Sequence, residues 1–167
     1  ATVWLGEKVV RMSDTIPDVL RSAAARHGDA AAYVEGDRTV SFAALHALVQ
    51  RVAGRYLATG AAPGFRAVLW APNSIEWVVA GLAVTYAGGT LVPANSRYTA
   101  HEVADLVERT GAAVVVVADG FLGRTQIADM RAAARLDDVT VIDIAAVLTG
   151  APELDDAALV AVESRAD

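Results

Sequence analysis

The sequence predicts an α/β fold: a parallel β-sheet built from βαβ units and flanked by helices, preceded by a helix, a β-hairpin and a long helix. From Val68 onward, short apolar runs alternate with longer segments of helical periodicity. This order and spacing are typical of βαβ units, whose strands pair in parallel and whose crossovers are right-handed. The apolar runs are continuous rather than alternating, as expected for strands that helices cover on both faces.

The region before Val68 predicts three elements. Residues 15–28 have the pattern of a short helix that stops at Gly28. Its apolar face is expected to contain Ile16, Val19, Leu20 and Ala23. Residues 31–42 contain two β-prone runs around a Gly-Asp pair and predict a β-hairpin. Ser41 is expected to cap a long helix that Gly60 ends. The apolar stripe of that helix consists of Phe42, Leu45, Leu48, Val49, Val52, Tyr56 and Leu57.

The rest of the chain is expected to supply four strands and their connecting helices. Asn73 and Glu76 have capping-box spacing and predict the start of a buried helix over 74–87. Thr99 and Glu102 form a second pair of this kind. The helix that begins there has an apolar face at Val103, Leu106, Val107 and Thr110. The predicted strands are residues 68–70, 90–92, 114–118 and 139–142, and the third connecting helix spans 122–136.

A glycine pair, Gly88 and Gly89, raises the question of a phosphate-binding loop. A dinucleotide-binding fold places G-x-G-x-x-G after its first strand, whereas the segment APNSIEW that follows Trp70 contains no glycine. A Walker loop requires a lysine, and Lys8 is the only lysine in the chain. We therefore interpret the glycines as the end of a buried helix, followed by a central strand that Pro93 ends.

Composition restricts the classes of function. Hydrophobic residues make up 54% and charged residues 20% of the chain, which is typical of a globular domain. The net charge of −6 argues against nucleic-acid binding, which requires a basic surface. The absence of cysteine excludes disulfides and zinc-thiolate sites and fits a cytoplasmic location. No apolar stretch is long enough to predict a transmembrane segment.

Side chains with catalytic chemistry are present but do not form a recognisable pattern. No G-x-S-x-G nucleophile elbow occurs, and no histidine and glutamate stand at metal-ligand spacing. His27, His46 and His101 are expected on helix surfaces, where a histidine at a helix end interacts favourably with the helix dipole. Asp119 resembles the acceptor aspartate of a response regulator, but the other acids and the lysine of such a site are missing, so a turn is expected.

The remaining candidates also have a structural interpretation. Trp70 lies in a strand and Trp77 in an apolar helix, which favours core packing over ring stacking on a ligand. Glu153, Asp155 and Asp156 lie in an acidic segment and are expected to be solvated rather than to bind a metal ion. The sequence therefore predicts no catalytic, cofactor-binding or metal-ligating residue in this chain.

The segment from Pro72 to Glu102, with the pattern PNS-x-EW … AGG-x-x-VP-x-N-x-RYT-x-x-E, resembles the N-terminal subdomain of the adenylate-forming enzymes, in the acyl-CoA synthetase branch. The resemblance covers residues 15–160. Within that branch, WAPN, NSRYTAHE and GFLG are most similar to actinobacterial acyl-CoA ligases that act on propionate side chains of degraded steroid rings. The turn at residues 64–67 departs from the family's Gly-Asp-Arg-Val, and we expect a local change there without loss of the fold.

This resemblance implies a two-step ligase reaction for the intact enzyme. A carboxylate would attack the α-phosphate of ATP in the presence of Mg²⁺, and coenzyme A would then attack the acyl-adenylate. The phosphate loop, the adenosine-binding residues and the mobile lysine of the family have no counterpart in this chain. The resemblance therefore implies an N-terminal part of such an enzyme that is inactive alone, and whose uncovered apolar surface favours a homo-oligomer.

Three segments are expected in this interpretation. Residues 1–12 are an N-terminal extension or tag, residues 13–150 the α/β subdomain, and residues 151–167 an acidic linker that leads toward the phosphate loop. A second hypothesis is a stand-alone α/β module that binds a partner without catalysis. A coding sequence that continues past residue 167 would favour the first hypothesis, and a natural stop there would favour the second.

Overall fold

The computed structural model describes residues 15–133, 136–151 and 153–166 with their side chains, and residues 2–5 and 8–11 by their backbone. The first two strands, β1 (Thr2–Leu5) and β2 (Lys8–Arg11), form an antiparallel pair. The sequence predicted no structure for this segment. Residues 12–14 lie outside the described residues.

The chain then alternates helices and strands in the predicted order. The helices are α1 (Ile16–His27), α2 (Phe42–Ala58), α3 (Ile75–Tyr86), α4 (Ala100–Thr110), α5 (Gln126–Ala133) and α6 (Asp156–Ala166). The strands are β3 (Ala31–Glu35), β4 (Arg38–Ser41), β5 (Arg66–Trp70), β6 (Thr90–Pro93), β7 (Val114–Val117) and β8 (Thr140–Asp143). Short 3₁₀ turns occur at Phe121–Gly123 and Ile144–Ala146. The predicted hairpin is β3–β4, and the predicted fold class is confirmed.

The four strands β5 to β8 form one parallel sheet in the order β6-β5-β7-β8. Alternate residues of each central strand belong to different cores. Leu69 and Val116 pack with α1, α2, α3 and α6 on one face, whereas Val68 and Val115 pack with α4 and α5 on the other. Both faces of β5 and β7 are buried, which explains why these strands are continuous apolar runs.

The position of β6 differs from the prediction of a central strand. Among the described residues it pairs with β5 alone and forms one edge of the sheet, because β7 lies on the other side of β5. Pro93 is the last residue of β6, opposite Leu69. An edge strand tolerates proline because the ladder on its outer side needs no N–H donor.

The glycine pair ends α3 as predicted. The amide of Gly88 donates to the carbonyl of Thr85 (3.0 Å), and the amide of Gly89 donates to that of Val84 (2.8 Å). This is the Schellman pattern, in which the first glycine adopts a left-handed conformation; φ of Gly88 is 71°. The pair therefore closes a helix, as the sequence indicates.

The buried face of α1 is rotated from the predicted one. Ile16 and Val19 are 53% and 56% exposed, so the prediction that they face the core is wrong. Pro17 and Leu20 are buried instead. These two positions lie three residues apart and therefore on one helix face, which packs toward α2 and α3.

The start of α3 also differs by one residue from the prediction. Ser74, not Asn73, is the N-cap, and its Oγ accepts a hydrogen bond from the Trp77 amide (3.1 Å). The Glu76 carboxylate accepts from Arg38 on the hairpin instead of completing a capping box. The second predicted capping box, at Thr99 and Glu102, is confirmed.

This difference at α3 has a measurable consequence. Replacing Ser74 with alanine is expected to lower the free energy of unfolding by about 1 kcal/mol, because an amide of the first turn loses its acceptor. The matched variant Asn73→Ala is expected to change it by less than about 0.5 kcal/mol, since Asn73 is exposed and is not the cap. Urea denaturation followed by circular dichroism measures both. Equal losses in the two variants would contradict this assignment of the cap.

The third connecting helix is shorter than predicted. It begins at Gln126 rather than Leu122, because the preceding residues form a turn in which Gly120 and Gly123 have φ of 82° and 69°. At the other end, Leu136 is not helical, and residues 134–135 lie outside the described residues.

The C-terminal segment forms a helix where the sequence predicted an acidic linker. In α6, Val162 and Ala166 are buried, and Asp155 Oδ1 accepts a hydrogen bond from the Ala158 amide (2.7 Å) in the first turn. Glu153 is exposed and lies 3.4 Å from Arg51. Arg51 on α2 also donates to the carbonyl of Ala151 (2.9 Å). The polar side of α2 therefore holds this segment, and hydrophobic periodicity does not reveal such contacts.

Candidate functional site

The carboxyl edge of the parallel sheet is where the fold places a candidate site. The chain leaves β5 toward the face covered by α3, and it leaves β7 toward the face covered by α5. The crevice outside the carboxyl ends of two such neighbouring strands is the usual ligand position in open α/β sheets. The loops after β5, β6 and β7 converge there.

Hydrogen bonds fix the first two of these loops. The loop after β5 ends at Ser74, and the Ile75 amide donates to Glu35 Oε2 on the hairpin (3.2 Å). After β6, Asn95 Oδ1 accepts from the Arg97 amide (2.9 Å) in a turn that leads to Thr99. The capping box of Thr99 and Glu102 then begins α4, and the hydrogen bond from the Thr99 amide lowers the pKa of Glu102.

The loop after β7 is built around a buried glutamine. Gln126 is 3% exposed, and its side chain bridges the loop: Oε1 accepts from the Gly120 amide (2.9 Å) and Nε2 donates to the Phe121 carbonyl (2.8 Å). Asp119 Oδ1 accepts from the Ile127 amide (3.0 Å), which confirms the predicted turn role. Leu122 has a left-handed backbone (φ 58°) and an exposed side chain.

A cleft of about 370 Å³ lies between the starts of α4 and α5. Its lining combines Trp70 with the polar side chains of Thr99, His101, Arg124, Gln126 and Asp129. Arg124 Nη1 reaches the Tyr98 carbonyl at 3.5 Å and so connects the second and third loops. The cleft offers hydrogen-bond donors and one carboxylate, but no nucleophile paired with a base.

A second groove, of about 400 Å³, lies between the β3–β4 hairpin and the start of α3. Tyr33 and Val34 on the hairpin are exposed, and Trp77 lines the opposite wall. A larger opening of about 850 Å³ is lined by residues within 104–113, by residue 133 and by residues 136–139, at the amino edge of the sheet. The switch-point rule places ligands at the carboxyl edge, so the first two openings are the better candidates.

The histidines interpreted as surface residues have different surroundings. His27 ends α1 and packs near the Phe42 ring (5.2 Å between centroids), and His101 is exposed in the first turn of α4. His46 is half-buried, and its Nε2 lies 2.8 Å from the Tyr86 hydroxyl, so the prediction of a surface role is wrong for this residue. Burial lowers the pKa of His46.

Trp70 and Trp77 also differ from each other. Trp70 is 3% exposed, in agreement with the core prediction. Trp77 is only partly buried and borders the groove beside the hairpin. The apolar pattern of α3 did not predict this difference in burial, because the hairpin leaves part of that helix face uncovered.

Within the described part of the chain, no group of three His, Asp or Glu side chains is placed to hold a metal ion. No described helix combines the length and the apolar character needed to cross a bilayer. The carboxyl edge is therefore an organised surface with hydrogen-bonding groups and without an evident reaction centre among these residues.

Comparison with known proteins identifies the family. The family described as "AMP-binding enzyme" matches residues 20–166 of this chain. The chain belongs to the AMP-binding enzyme family. This confirms the resemblance stated from the segment between Pro72 and Glu102.

Two curated relatives are similar over most of the chain. A 3-[(3aS,4S,7aS)-7a-methyl-1,5-dioxo-octahydro-1H-inden-4-yl]propanoyl:CoA ligase from Rhodococcus jostii is 39% identical over 134 residues, covering 80% of this chain and 25% of the relative. The protein of the same name from Mycobacterium tuberculosis is 38% identical over 120 residues, covering 72% and 24%. The chain thus spans about a quarter of the length of these relatives.

Solved structures agree with the family. The N-terminal domain of FACL13 from Mycobacterium tuberculosis has a TM-score of 0.75 and 30% identity, covering 87% of this chain and 38% of that one. An o-succinylbenzoate CoA synthetase from Bacillus subtilis, solved with its acyl-adenylate intermediate, has a TM-score of 0.68 at 24% identity, covering 82% and 34%. The second likeness shows the fold alone.

Proposed function

We propose that this AMP-binding family chain is the N-terminal α/β part of an ATP-dependent acyl-CoA ligase. The observation that carries the proposal is the match at 39% identity to an acyl-CoA ligase over 80% of the chain, combined with coverage of only 25% of that relative. In this proposal the chain frames the nucleotide site from the carboxyl edge of its sheet. The reacting groups come from the rest of the enzyme.

The chemistry of the described residues supports this division. ATP chemistry needs groups that neutralise phosphates, and Mg²⁺ needs oxygen ligands held together. The described residues bring no such carboxylate cluster together, and Lys8 on β2 is the only lysine of the chain, so they do not fit a Mg²⁺–ATP site on their own. We therefore assign the binding of Mg²⁺, ATP and coenzyme A to the intact enzyme. We also propose that this enzyme is cytoplasmic.

For the substrate, we propose a propanoic acid attached to a reduced bicyclic ring. Both relatives described above are named as CoA ligases for an acyl group of this kind. The carboxylate would displace pyrophosphate from ATP to form the acyl-adenylate, and the thiol of coenzyme A would then displace AMP to form the thioester.

An exchange assay tests the assignment. The 167-residue chain, incubated with Mg²⁺, ATP, labelled pyrophosphate and the bicyclic propanoic acid, is expected to give no acid-dependent exchange above background. The complete product of the same gene is expected to give clear exchange with that acid, and less with a straight-chain acid of equal carbon number. The Rhodococcus jostii relative serves as the positive control.

The outcomes separate the hypotheses. Acid-dependent exchange by the 167-residue chain would contradict the proposal that its reacting groups lie elsewhere. A gene that ends at codon 167 would instead favour a stand-alone partner-binding module. Sedimentation of the chain alone tests the expected self-association, and a monomer at high concentration would count against it.

A further inference from the structure

A polar cluster holds α6 against three other helices, on the face of the sheet that α3 covers, whereas the cleft between α4 and α5 lies on the opposite face. We define the Glu163 cluster as Glu163 on α6, Arg21 on α1, His46 and Gln50 on α2, and Tyr86 on α3. These residues are far apart in sequence, and the hydrogen bonds that join them to one another lie within the described part of the chain.

Glu163 is the centre of this cluster. Its Oε1 accepts hydrogen bonds from Gln50 Nε2 (2.6 Å) and from the Tyr86 hydroxyl (2.7 Å). Its Oε2 accepts from Arg21 Nη1 (2.9 Å). A carboxylate that accepts three hydrogen bonds from three different helices ties α6 to each of them.

The outer members of the cluster fix the orientation of these donors. The Tyr86 hydrogen points to Glu163, so His46 Nε2, at 2.8 Å from the Tyr86 oxygen, carries a proton and donates it. Arg21 Nη2 donates to Asp18 Oδ1 (2.7 Å), which holds the guanidinium beside Glu163. Each donor to Glu163 from α1 and α3 is therefore itself held in place.

Apolar packing alone gives α6 a small anchor. Within the helix, Val162 and Ala166 are its buried residues, whereas Val160 is 68% exposed. Upstream of the helix, Leu154 packs on Gly54, where any added Cβ would lie 2.5 Å from Leu154 Cδ2. The hydrogen bonds to Glu163 add polar contacts with α1, α2 and α3 to this apolar burial.

We propose that Glu163 is a positioning residue: it holds α6 in its docked place and so sets the direction in which the chain continues toward the ATP-binding part of the enzyme. The effect on catalysis rests on the proposed ligase function. The docking of α6 is a property of this chain and does not depend on that function. The proposal concerns the helix that immediately precedes the end of the described residues.

A second observation lies in the last turn of α6. Arg165 Nη1 is buried and has no hydrogen-bond partner among the described residues. A buried guanidinium nitrogen without an acceptor is costly, so in the proposed intact enzyme a group outside the described residues would accept a hydrogen bond from it.

Hydrogen exchange of the 167-residue chain tests the docking directly. In Glu163→Gln, the amides of α6 are expected to exchange at least about tenfold faster, while those of β5 and β7 keep their rates. The matched control Glu108→Gln removes the same charge from an exposed position of α4 and is expected to leave α6 unchanged. Tyr86→Phe removes one of the donors to Glu163, so a smaller acceleration at the same amides is expected. This variant tests the proposal if Glu163→Gln folds poorly.

Two results would overturn the proposal. Unchanged α6 exchange in both Glu163→Gln and Tyr86→Phe would show that Glu163 does not hold the helix. Equal acceleration in α6, β5 and β7 would show a general loss of stability instead of local undocking.

The pH profile gives a readout that loss of packing would not give. Burial alone would raise the pKa of Glu163, but hydrogen bonds from Gln50, Tyr86 and Arg21 outweigh it and lower the pKa. A lowered carboxyl pKa stabilises docking above about pH 4.3, and this stabilisation is lost as the pH falls through the folded-state pKa. Intrinsic-rate-corrected exchange of α6 is therefore expected to rise in acid in the wild type and not in Glu163→Gln.

The other titrating groups of this region can be separated from Glu163. Asp18 has a lowered pKa because of its hydrogen bond from Arg21, and it titrates in the same acid range. His46, whose pKa burial lowers, also gains its proton in acid. Asp18→Asn and His46→Gln are both expected to retain an acid-dependent rise, and its loss in either would assign the effect to that residue and overturn the role of Glu163.

The catalytic consequence is tested in the complete gene product. Glu163→Gln is expected to raise the KM for ATP by about three- to tenfold, with a smaller change in kcat, whereas Glu108→Gln changes neither. Normal ATP kinetics together with an undocked α6 would overturn the positioning role. A complete product without any ligase activity would refute the proposed function, while the exchange experiment on α6 would still stand.

Discussion

Replacing Trp70 with alanine is expected to lower the free energy of unfolding by about 3–5 kcal/mol, the range for truncating a large core aromatic residue. Trp70 ends β5, is 3% exposed and belongs to the apolar cluster that contains Val103 and Met130. The ring also borders the cleft between α4 and α5, so its loss would leave a cavity open to that edge. Urea denaturation followed by circular dichroism gives the change.

Trp77→Ala is the matched control for this variant. Trp77 carries the same side chain but is only partly buried beside the hairpin, so a smaller loss, below about 3 kcal/mol, is expected. The sequence alone ranks the two residues equally, as apolar positions in a strand and a helix. A loss from Trp77→Ala that equals or exceeds the loss from Trp70→Ala would contradict the burial seen in the structure.

The fold was predictable because its signals are local. Continuous apolar runs mark β5 and β7, and Thr99 with Glu102 carries the complete signature of a capping box. The prediction of β6 as a central strand failed because strand order depends on where the chain crosses the sheet, which no local pattern records. Serine and asparagine are both favourable N-cap residues, so the sequence does not show whether Ser74 or Asn73 is the cap. The backbone conformation decides it.

The C-terminal helix shows that hydrophobic periodicity does not predict contacts between polar side chains. His46 and Gln50 lie one turn apart on α2 and look like a solvated face, but they contact Tyr86 and Glu163. Such contacts join residues separated by 40 to 113 positions. The sequence therefore indicated a linker where partly buried polar groups contact a helix.

The candidate site was predictable only in part, for a different reason. The family signature includes the loop that runs from Pro93 to Thr99 but did not show that this loop borders a cleft, whereas the turn role of Asp119 followed from its place after a strand. Gln126 was missed, because a glutamine in the first turn of a helix carries no signal that its amide will bridge a loop. Its two hydrogen bonds, to Gly120 and Phe121, exist only once that loop has folded.

Gly89→Ala is expected to lower the free energy of unfolding by about 1–3 kcal/mol through overpacking. Gly89 does not have a left-handed backbone, so the effect does not come from φ. A Cβ there would lie 2.5 Å from Phe65 Cε1 and 2.7 Å from Cζ. Phe65 is 7% exposed and packs near Tyr56, with 6.0 Å between ring centroids, so its ring has little room to move.

Backbone hydrogen bonds also prevent the chain from moving to relieve this contact. The Gly64 amide donates to the Gly88 carbonyl (2.8 Å), and the Thr90 amide donates to the Phe65 carbonyl (2.8 Å). These bonds hold the start of β5 against the start of β6 on both sides of Gly89. In this chain Gly89 thus packs directly against Phe65, which occupies the turn where the chain departs from the family pattern.

A double-mutant cycle with Phe65→Leu tests this explanation. The smaller leucine side chain is expected to cost stability by itself but to relieve the contact, so Gly89→Ala should cost less in the Phe65→Leu background than in the wild type. A coupling of at least about 0.5 kcal/mol is expected for residues in direct contact. Strictly additive losses would show that the glycine is needed for some reason other than the Phe65 ring, because an overpacked contact must weaken when its partner is made smaller.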